Sequence, residues 1–288
     1  MSKNKSKTAF SLIEISIVIL IIGILVAGVT QSSRLIRAIR LQTARSITTS
    51  SPVASIKNLT MWYETTLEKS IDEAERQDGI EVSKWYDVNP TSVTKNDATQ
   101  VTSASRPKFT DNMINGLPAL KFDGVADYLD YNGSVIAGTE YTIFVVEQRR
   151  TNNEAFIFGG SGGPSTTKDL LHIGYMSGGV NIRYGHHFDD SDCNSCVIAY
   201  STPIPRIHIA RFSLTEGKKY YINSSTPSMQ NATQNTPLTS NNNAYIGRFV
   251  GYFNGDIGEI IIFSSALNTE ELKSITDYLA KKWGIKVS

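Results

Sequence analysis

The chain has 288 residues, enough for one large domain or for a domain with an appendage, and enough to bury a substantial core. Its 28 basic and 27 acidic residues give a formal net charge of +1, so charge gives no reason to expect nucleic acid or an anionic membrane surface as the main partner. Two cysteines cannot hold a fold of this length together, so its stability must come from packing.

Charge is unevenly distributed at the amino terminus. Lys3, Lys5 and Lys7 lie within the first nine residues, and the first acidic residue is Glu14. Removal of those nine residues would take away three lysines and no acid, and would leave a net charge of −2.

An apolar segment with a single charged residue extends from Phe10 to Val29. Its length matches that of a helix that spans a bilayer. The sequence then continues without glycine or proline as far as Pro52, so the helix is predicted to run on past the membrane. Arg34, Arg37 and Arg40 recur every three residues on this extension, either as a docking face for neighbouring helices or as a solvated face.

Glu14 is the unexpected residue of the apolar segment. A carboxylate costs roughly 2.5–3.5 kcal/mol at the centre of a membrane helix and less toward its end, so Glu14 requires a compensating partner. The basic leader, Thr8-Ala9, the stretch FSLIE (10–14) and the unbroken apolar helix resemble the class III signal of type IV pilins and type II secretion pseudopilins.

This resemblance implies processing and assembly roles for three residues. In that family a prepilin peptidase cuts on the cytoplasmic side of the membrane, here between Ala9 and Phe10, and methylates the new amino terminus. Glu14 would be the fifth mature residue, where the family's glutamate pairs with the terminal amine of a neighbouring subunit. Two charges that are each unfavourable in hydrocarbon would become one pair, which also fixes the axial register. The sequence departs from the family at Ala9, where glycine is usual, and at Gln31, where many pilins have proline.

From about Ile56 the pattern changes to short apolar or alternating runs separated by Gly, Asn, Ser and Pro. Such runs predict strands, and successive strands without helices between them indicate an antiparallel sandwich. The predicted strands include TIFVVEQRR (142–150), GVNIRYG (179–185), CVIAYS (196–201) and GDIGEIIIFSS (255–265).

A helix is predicted at the carboxyl end. Asn268 and Glu271 have the spacing of a capping box, and Gly284 is suited to end the helix. The apolar positions at helical spacing are Leu272, Ile275, Leu279 and Trp283. We expect this apolar side to pack against the sandwich.

Several stretches resemble the laminin-G-like and concanavalin A-like jelly-roll domains of bacterial surface proteins. They are KWYD (84–87), NDATQ (96–100), RPKF (106–109), NGLPALKFDG (115–124), FNGDIGEI (253–260) and LNTEELKSITDYLAKKWGI (267–285). The resemblance covers roughly residues 56–288 and implies a fold, but seldom a single activity.

The expected fold class is therefore α+β, with a long amino-terminal hydrophobic helix, an antiparallel jelly-roll sandwich and a short carboxyl-terminal helix. Residues 1–9 are expected to be a basic leader that is removed, residues 10–52 the pilin helix, and residues 53–288 the sandwich domain.

The sequence gives little indication of catalysis. Asp256 and Glu259 are three residues apart, so on a regular strand they are expected on opposite faces, unlike the carboxylate pair of a retaining glycosidase. No Gly-x-Ser-x-Gly, phosphate loop or His-Glu-x-x-His motif occurs either. No enzymatic function is expected.

The stretch HHFDDSDCNSC (186–196) is the richest in reactive side chains. A Cys-x-x-Cys pair outside the inner membrane tends to oxidise, which favours a disulfide between Cys193 and Cys196. The alternative is a zinc or calcium site, since the stretch offers nitrogen, oxygen and sulfur ligands. Its candidate ligands are His186, His187, Asp189, Asp190 and Asp192, together with the two cysteines. No cofactor is expected.

Aromatic residues offer a different type of candidate site. Those able to stack on sugar rings, if they lie on the surface, are Trp62, Tyr63, Tyr175, Tyr184 and Tyr252. Aromatic residues in strands more often belong to the core, so no glycan site is assigned from the sequence.

We expect a structural subunit of a type IV pilus-like filament, whose helix packs with other pilin subunits while the sandwich is displayed for adhesion or filament contacts. A sandwich of over two hundred residues is bulky for a repeating subunit, which favours a minor or tip pilin. The alternatives are a glycan-binding adhesin delivered by a pilin helix and a type II secretion pseudopilin. The other expected partners are the prepilin peptidase, the inner membrane before assembly and, for the adhesin, surface glycans, with no nucleic acid. The expected location is the bacterial inner membrane, then an extracellular filament or a periplasmic pseudopilus.

Overall fold

A computed structural model of the chain describes residues 12–160, 168–176, 181–193, 196, 203–240 and 242–288. Over these residues the chain forms a long amino-terminal helix, two antiparallel sheets packed face to face, and a short carboxyl-terminal helix. The α+β fold class predicted from the sequence is confirmed.

Helix α1 runs from Leu12 to Thr49. At 1.5 Å per residue it is about 57 Å long. It passes Gln31 without interruption and ends just before Pro52, in agreement with the sequence prediction. One 3-10 turn, Val53–Ser55, follows and leads into the first strand.

The strands of the described residues, in chain order, are β1 Leu59–Glu64, β2 Lys84–Trp85, β3 Ala98–Thr99, β4 Lys108–Ile114, β5 Leu117–Asp123, β6 Leu129–Tyr131, β7 Tyr141–Arg149, β8 Ala155–Gly160, β9 Leu171–Tyr175, β10 Ile182–His186, β11 Asp189–Cys193, β12 Arg206–Ser213, β13 Gly217–Ile222, β14 Met229–Asn231, β15 Ala244–Ile246 and β16 Asn254–Phe263. They form two sheets. Sheet 1 has the order β14-β13-β12-β7-β16-β5-β4, with β1 also paired to β16, and sheet 2 has the order β11-β10-β9-β8-β15-β6-β3-β2.

The main core lies between the two sheets. Ile260 and Ile262 of β16 face it from sheet 1, and Phe158 and Ile246 face it from sheet 2, all with no exposed surface. Side chains alternate along a strand, so the residues between them point to the outer faces. This alternation is the pattern from which the sandwich was predicted.

Helix α2 runs from Thr269 to Trp283 and has the ends that the sequence predicts. The Asn268 side chain accepts a hydrogen bond from the backbone N–H of Glu271, whose own side chain accepts from the N–H of Asn268. Gly284 closes the helix with φ of 64°, a left-handed conformation that glycine adopts without strain.

Both helices lie on the outer face of sheet 1. Ile261 and Phe263, which alternate with the core residues of β16, form a second apolar cluster with Ile275 and Leu279 of α2. Ala44, near the end of α1, joins the same cluster. The outer face of sheet 2 lies on the opposite side of the sandwich.

Strand β11 was not predicted. Its residues, DDSDC, lack the apolar alternation by which a strand is recognised in a sequence. Asp190 and Asp192 point to the outer face of sheet 2, where they lie close to His172 and Arg183. The strand predicted as CVIAYS lies outside the described residues, apart from Cys196.

Candidate functional site

The amino-terminal end of α1 carries the predicted assembly residue. Glu14 lies in the first turn of α1, on a helix that is long and apolar enough to cross a membrane. The predicted processing residues, Ala9 and Phe10, lie outside the described residues.

Most of α1 projects away from the sandwich. Residues 12–26, 28 and 31–40, along about 43 Å of helix, are exposed, and the large aliphatic side chains among them range from 49% exposed at Ile15 to 83% at Leu12. A helix that presents aliphatic side chains on all sides is unfavourable in water. This segment therefore requires lipid or other helices around it.

The last turns of α1 attach it to the sandwich. Ala44 and Thr48 are buried at the contact with α2. Arg45 donates from Nε to the carbonyl oxygen of Thr66 and from Nη1 to Oε1 of Glu68, both at 2.8 Å. Because Glu68 is largely exposed, this ion pair contributes about 1 kcal/mol at most. The buried contact with α2 therefore does more to fix the position of α1.

A buried charge cluster lies beneath this attachment and consists of Glu64, Glu259 and Lys282. Lys282 Nζ lies 3.0 Å from Glu64 Oε2 and 2.9 Å from Glu259 Oε2, and none of the three side chains is exposed. Burial opposes the charge of Lys282, but the two carboxylates outweigh burial and raise its pKa. Burial also opposes ionisation of Glu64, but Lys282 and hydrogen bonds from Ser70 and Thr66 lower its pKa below the usual value.

Glu259 also receives three neutral hydrogen bonds. The indole N–H groups of Trp62 and Trp283 each donate to it at 2.8 Å, and the Tyr278 hydroxyl donates at 2.6 Å. Trp62 belongs to β1, whereas the other two donors belong to α2. The carboxylate therefore links the carboxyl-terminal helix to sheet 1, and its hydrogen-bonding capacity is used within the protein.

The prediction that Asp256 and Glu259 face opposite sides of a strand is wrong. A β-bulge at Gly258 shifts the register of β16 against β7, so one extra residue reverses the alternation and places both carboxylates on the outer face of sheet 1. Arg150 holds Asp256 with hydrogen bonds of 2.7–3.0 Å and also contacts Met113, which packs in the cluster under the helices. Neither carboxylate is more than 1% exposed, so both are occupied in structural contacts.

Cys193 and Cys196 form a disulfide in the structure and are both buried. Nearby, His186 accepts a hydrogen bond at Nε2 from the Tyr141 hydroxyl at 2.7 Å, and its Nδ1 donates to the carbonyl oxygen of Thr236 at 3.0 Å. Burial lowers the pKa of His186 well below its usual value. This histidine is a neutral core residue with both nitrogens in hydrogen bonds.

The other candidate metal ligands lie close to partners within the protein. Asp189 pairs with Lys218 at 3.0 Å, Asp190 lies 2.8 Å from His172, Asp192 pairs with Arg183 at 2.7 Å, and His187 lies 4.0 Å from Asp169. Along β11 these aspartates alternate between the inner and outer faces of the sheet. Within the described parts of the chain, no three His, Cys, Asp or Glu side chains converge as a metal site.

Of the aromatic candidates, only Tyr252 lies at the surface. The others, each at most 4% exposed, are Trp62, Tyr63, Tyr175 and Tyr184. Tyr252 is grouped with Tyr128, Tyr245 and Arg248, which sequence reasoning did not identify as site residues. Tyr245, Arg248 and Tyr252 lie within eight consecutive residues, but Tyr128 comes more than a hundred positions earlier, so its contact with them has no local signal.

The turn that precedes Tyr128 is held by two carboxylates. Asp123 accepts hydrogen bonds from the backbone N–H groups of Val125 and Ala126 at 2.7 and 2.9 Å, and Asp127 accepts one from that of Asp123 at 2.9 Å. Burial, followed by the nearby charge of Asp123, raises the pKa of Asp127 to about 6. Asp127 is therefore charged at neutral pH at the expense of stability.

Replacing Asp127 by asparagine is expected to stabilise the protein at pH 7 and to stabilise it by about half as much at pH 5. The folded carboxyl binds a proton near pH 6, whereas the unfolded one does so near pH 4, so the contribution of Asp127 to stability improves as the pH falls between these values. The expected gain at pH 7 is on the order of 1–2 kcal/mol. Urea unfolding of the full chain in detergent at both pH values measures it, and a loss of stability, or a gain of the same size at both pH values, would contradict the prediction.

The amino-terminal end of the chain matches a known family. Residues 4–30 match the family described as the prokaryotic N-terminal methylation motif. The match includes Ala9, Phe10 and Glu14 and the first part of α1. The chain therefore carries a prepilin-type methylation motif and an apolar helix, followed by a β-sandwich.

The sandwich is similar to solved structures at the level of the fold. The sialidase of Trypanosoma rangeli matches with 16% identity and a TM-score of 0.53, over 81% of this chain and 34% of the sialidase chain, so this chain spans about a third of that protein. Domain 4 of AbnA, a GH43 extracellular arabinanase from Geobacillus stearothermophilus solved with arabinotriose, matches with 15% identity and a TM-score of 0.50, over 77% of this chain and 98% of that domain. At these identities the similarity shows the fold alone. A comparison with curated protein sequences gives no match.

Proposed function

We propose that the chain is a structural subunit of a type IV pilus-like filament, processed before Phe10 and assembled through α1. The observation that carries the proposal is that the methylation motif at residues 4–30 continues into a helix whose aliphatic side chains are exposed on all sides. Other pilin subunits would cover these side chains. The sandwich, at the opposite end of α1, would be displayed on the filament surface.

Glu14 is the proposed assembly residue. After cleavage between Ala9 and Phe10, a new terminal amine would lie one helical turn before Glu14. The amine of one subunit and the carboxylate of the next would neutralise each other among apolar side chains, where each alone is unfavourable. This pairing would set the position of each subunit along the filament.

The proposed organisation has a leader at residues 1–9, the filament helix at 10–52 and the sandwich domain at 53–288. The precursor would reside in the bacterial inner membrane, and the mature subunit in an extracellular filament. The bulk of the sandwich favours a minor or tip position. Purified filaments that contain this chain as abundantly as their main subunit would contradict that position.

We propose no enzymatic role. The burial of Asp256 and Glu259, with Arg150 and Lys282 as their partners, supports this view, because neither carboxylate can reach a substrate. A periplasmic pseudopilus subunit would share the motif and the helix, and the location of the mature chain, periplasmic or extracellular, separates the two roles.

A second candidate is a glycan-binding adhesin delivered by the pilin helix. The observation in its favour is the half-buried group of three tyrosines and Arg248 on the outer face of sheet 2. This face lies on the side of the sandwich opposite to both helices. A displayed subunit could therefore contact a ligand there without interfering with the attachment of α1.

The mature protein is expected to begin with an N-methylated Phe10. Mass spectrometry of the amino-terminal peptide measures this directly, and the same chain from cells without a prepilin peptidase serves as the control, in which Met1 or Ser2 should remain. A native polypeptide that keeps residues 1–9 in peptidase-positive cells would overturn the proposed processing.

A further inference from the structure

Three tyrosines surround one arginine on the outer face of sheet 2. We call this group the tyrosine–arginine cluster (Tyr128, Tyr245, Arg248 and Tyr252). The Arg248 guanidinium carbon lies 4.8 Å from the ring centre of Tyr128, 5.1 Å from that of Tyr245 and 5.5 Å from that of Tyr252. All four side chains are half-buried, so the cluster is packed yet reachable from solvent.

The fold places the first two rings of the cluster. Tyr245 lies in β15 between Ala244 and Ile246, whose side chains enter the core, so the alternation of the strand directs Tyr245 outward. Tyr128 meets Tyr245 edge to face, with 4.9 Å between ring centres. Its backbone N–H donates to the carbonyl oxygen of Ser105 at 3.0 Å, which fixes the turn that carries it.

A closed loop places the other two members. Arg248 and Tyr252 pair through their backbones across the loop, and the Phe253 N–H donates to the carbonyl oxygen of Gly247 at 2.8 Å. Between them, the ring of Phe249 stacks on His172 with 4.9 Å between centres and 6° between planes. The loop is thereby tied to sheet 2, and the cluster is formed before any ligand arrives.

The guanidinium of Arg248 is available for a ligand. Across the described residues it makes neither a hydrogen bond nor an ion pair, whereas Arg150 and Arg183 each donate hydrogen bonds from two nitrogens to an aspartate. Its charge rests on ring faces, which attract a cation but accept no conventional hydrogen bond from its five N–H donors. Asp130 is a nearby acid; burial raises its pKa, and Arg248 opposes that rise without contacting it as an ion pair.

We propose that the tyrosine–arginine cluster binds a sugar ring that carries a carboxylate. The planar fork of a guanidinium matches the two oxygens of a carboxylate, the tyrosine rings offer apolar surface for the C–H face of the sugar, and the hydroxyls of Tyr128 and Tyr252 can bond its polar edge. A neutral sugar could accept hydrogen bonds from the arginine but would bring no negative charge to its guanidinium, and a peptide carboxylate lacks the flat apolar face. This proposal names a class of ligand for the sandwich that the filament would display. It rests on the filament role proposed above only for its biological use.

The test uses the full chain in detergent and isothermal titration calorimetry with trigalacturonate, a trimer of carboxylated sugar rings. Its methyl ester keeps the rings and removes the charge, and triglutamate keeps the charges and removes the rings. The variants are Arg248→Gln and Tyr252→Ala. The matched control is Arg183→Gln, which removes another arginine from the same outer face, with circular dichroism to establish that each variant is folded.

We expect trigalacturonate to bind, and Arg248→Gln to weaken binding about tenfold or more, as befits a lost charge-assisted hydrogen bond. Tyr252→Ala should weaken it severalfold, Arg183→Gln should leave it unchanged, and the methyl ester should bind at least about tenfold more weakly than the acid.

Absence of trigalacturonate binding, or binding insensitive to both cluster variants, would overturn the site. Equal binding of the methyl ester would overturn the requirement for a carboxylate, and equal binding of triglutamate would overturn the sugar. The binding assay does not require filament assembly. A negative binding result would therefore leave the filament proposal unaffected, and a failure of the protein to assemble would not change the binding result.

Discussion

Replacing Glu14 by alanine is expected to leave cleavage and methylation at Phe10 intact and to abolish incorporation of the chain into filaments. The cleavage site lies before the helix, whereas the carboxylate is proposed to act only when a neighbour's amine arrives. Without it that amine would be buried unpaired, which costs about 3–5 kcal/mol and corresponds to roughly a hundredfold or more in association. Immunoblots of sheared filaments and membranes measure incorporation, and mass spectrometry measures processing.

Ser16 provides the matched control for this experiment. It lies in the same apolar segment, and its hydroxyl donates to the carbonyl oxygen of Leu12 at 2.7 Å, so Ser16→Ala removes a polar group without removing a charge. This variant should assemble normally. Normal assembly of Glu14→Ala in the same strain would show that the carboxylate has no role in pairing.

Replacing Lys282 by methionine is expected to destabilise the sandwich by about 3–5 kcal/mol, because it leaves two buried carboxylates without their cation. Lys281→Met is the control, since the neighbouring lysine is exposed on the same helix and its loss should change stability little. Urea unfolding of the full chain in detergent, followed by tryptophan fluorescence, measures both variants. Equal loss in the two would show that the buried charge cluster contributes nothing specific.

The pH dependence of these variants tests the electrostatic cause. In the parent protein the pKa of Glu64 is lowered on folding, so its contribution to stability is present at neutral pH and is lost as the pH falls through the lowered value. In Lys282→Met the cation is gone and burial dominates, which should raise the pKa of Glu64. Acid should therefore restore part of the loss in this variant. A deficit that is the same at pH 7 and pH 5 would point to packing instead.

The features that the sequence predicted correctly rest on neighbouring residues. The apolar run of α1, the stop at Pro52 and the capping pair Asn268 and Glu271 each act over a few positions, and each appears as expected. The alternating runs predicted the sandwich because burial on one face of a strand repeats every second residue. Local chemistry was sufficient for the fold class.

The features that the sequence did not predict depend on contacts between distant segments. Glu64 and Lys282 are 218 positions apart, so neither the pairing nor the burial of these charges has a local signal. The bulge at Gly258 is tied to the ring of Trp283, which would lie 2.4 Å from a Cβ at that position, and this contact appears only when α2 docks. A prediction based on strict alternation of side chains along a strand cannot anticipate an inserted residue.

The tyrosine–arginine cluster was missed for the same reason. Tyr128 precedes β6, Tyr245 belongs to β15, and the pairing of these two strands brings the rings together. Sequence reasoning selected aromatic residues in strands, most of which proved to be core. Whether an aromatic side chain in a strand is exposed depends on which face of the sheet it points to. That is known only once the two sheets and their inner faces are assigned.

The pairing of β1 with β16 bears on the order in which the molecule can be completed. β1 is the first strand after α1 and pairs with β16 from Leu59 with Phe263 to Glu64 with Glu259. β16, which follows all the other described strands in the chain, also lies between β7 and β5 in the middle of sheet 1. Contacts of such long sequence separation form slowly. The sandwich therefore cannot close until β16 has been synthesised, and until then the strands on either side of it in sheet 1 lack their common partner.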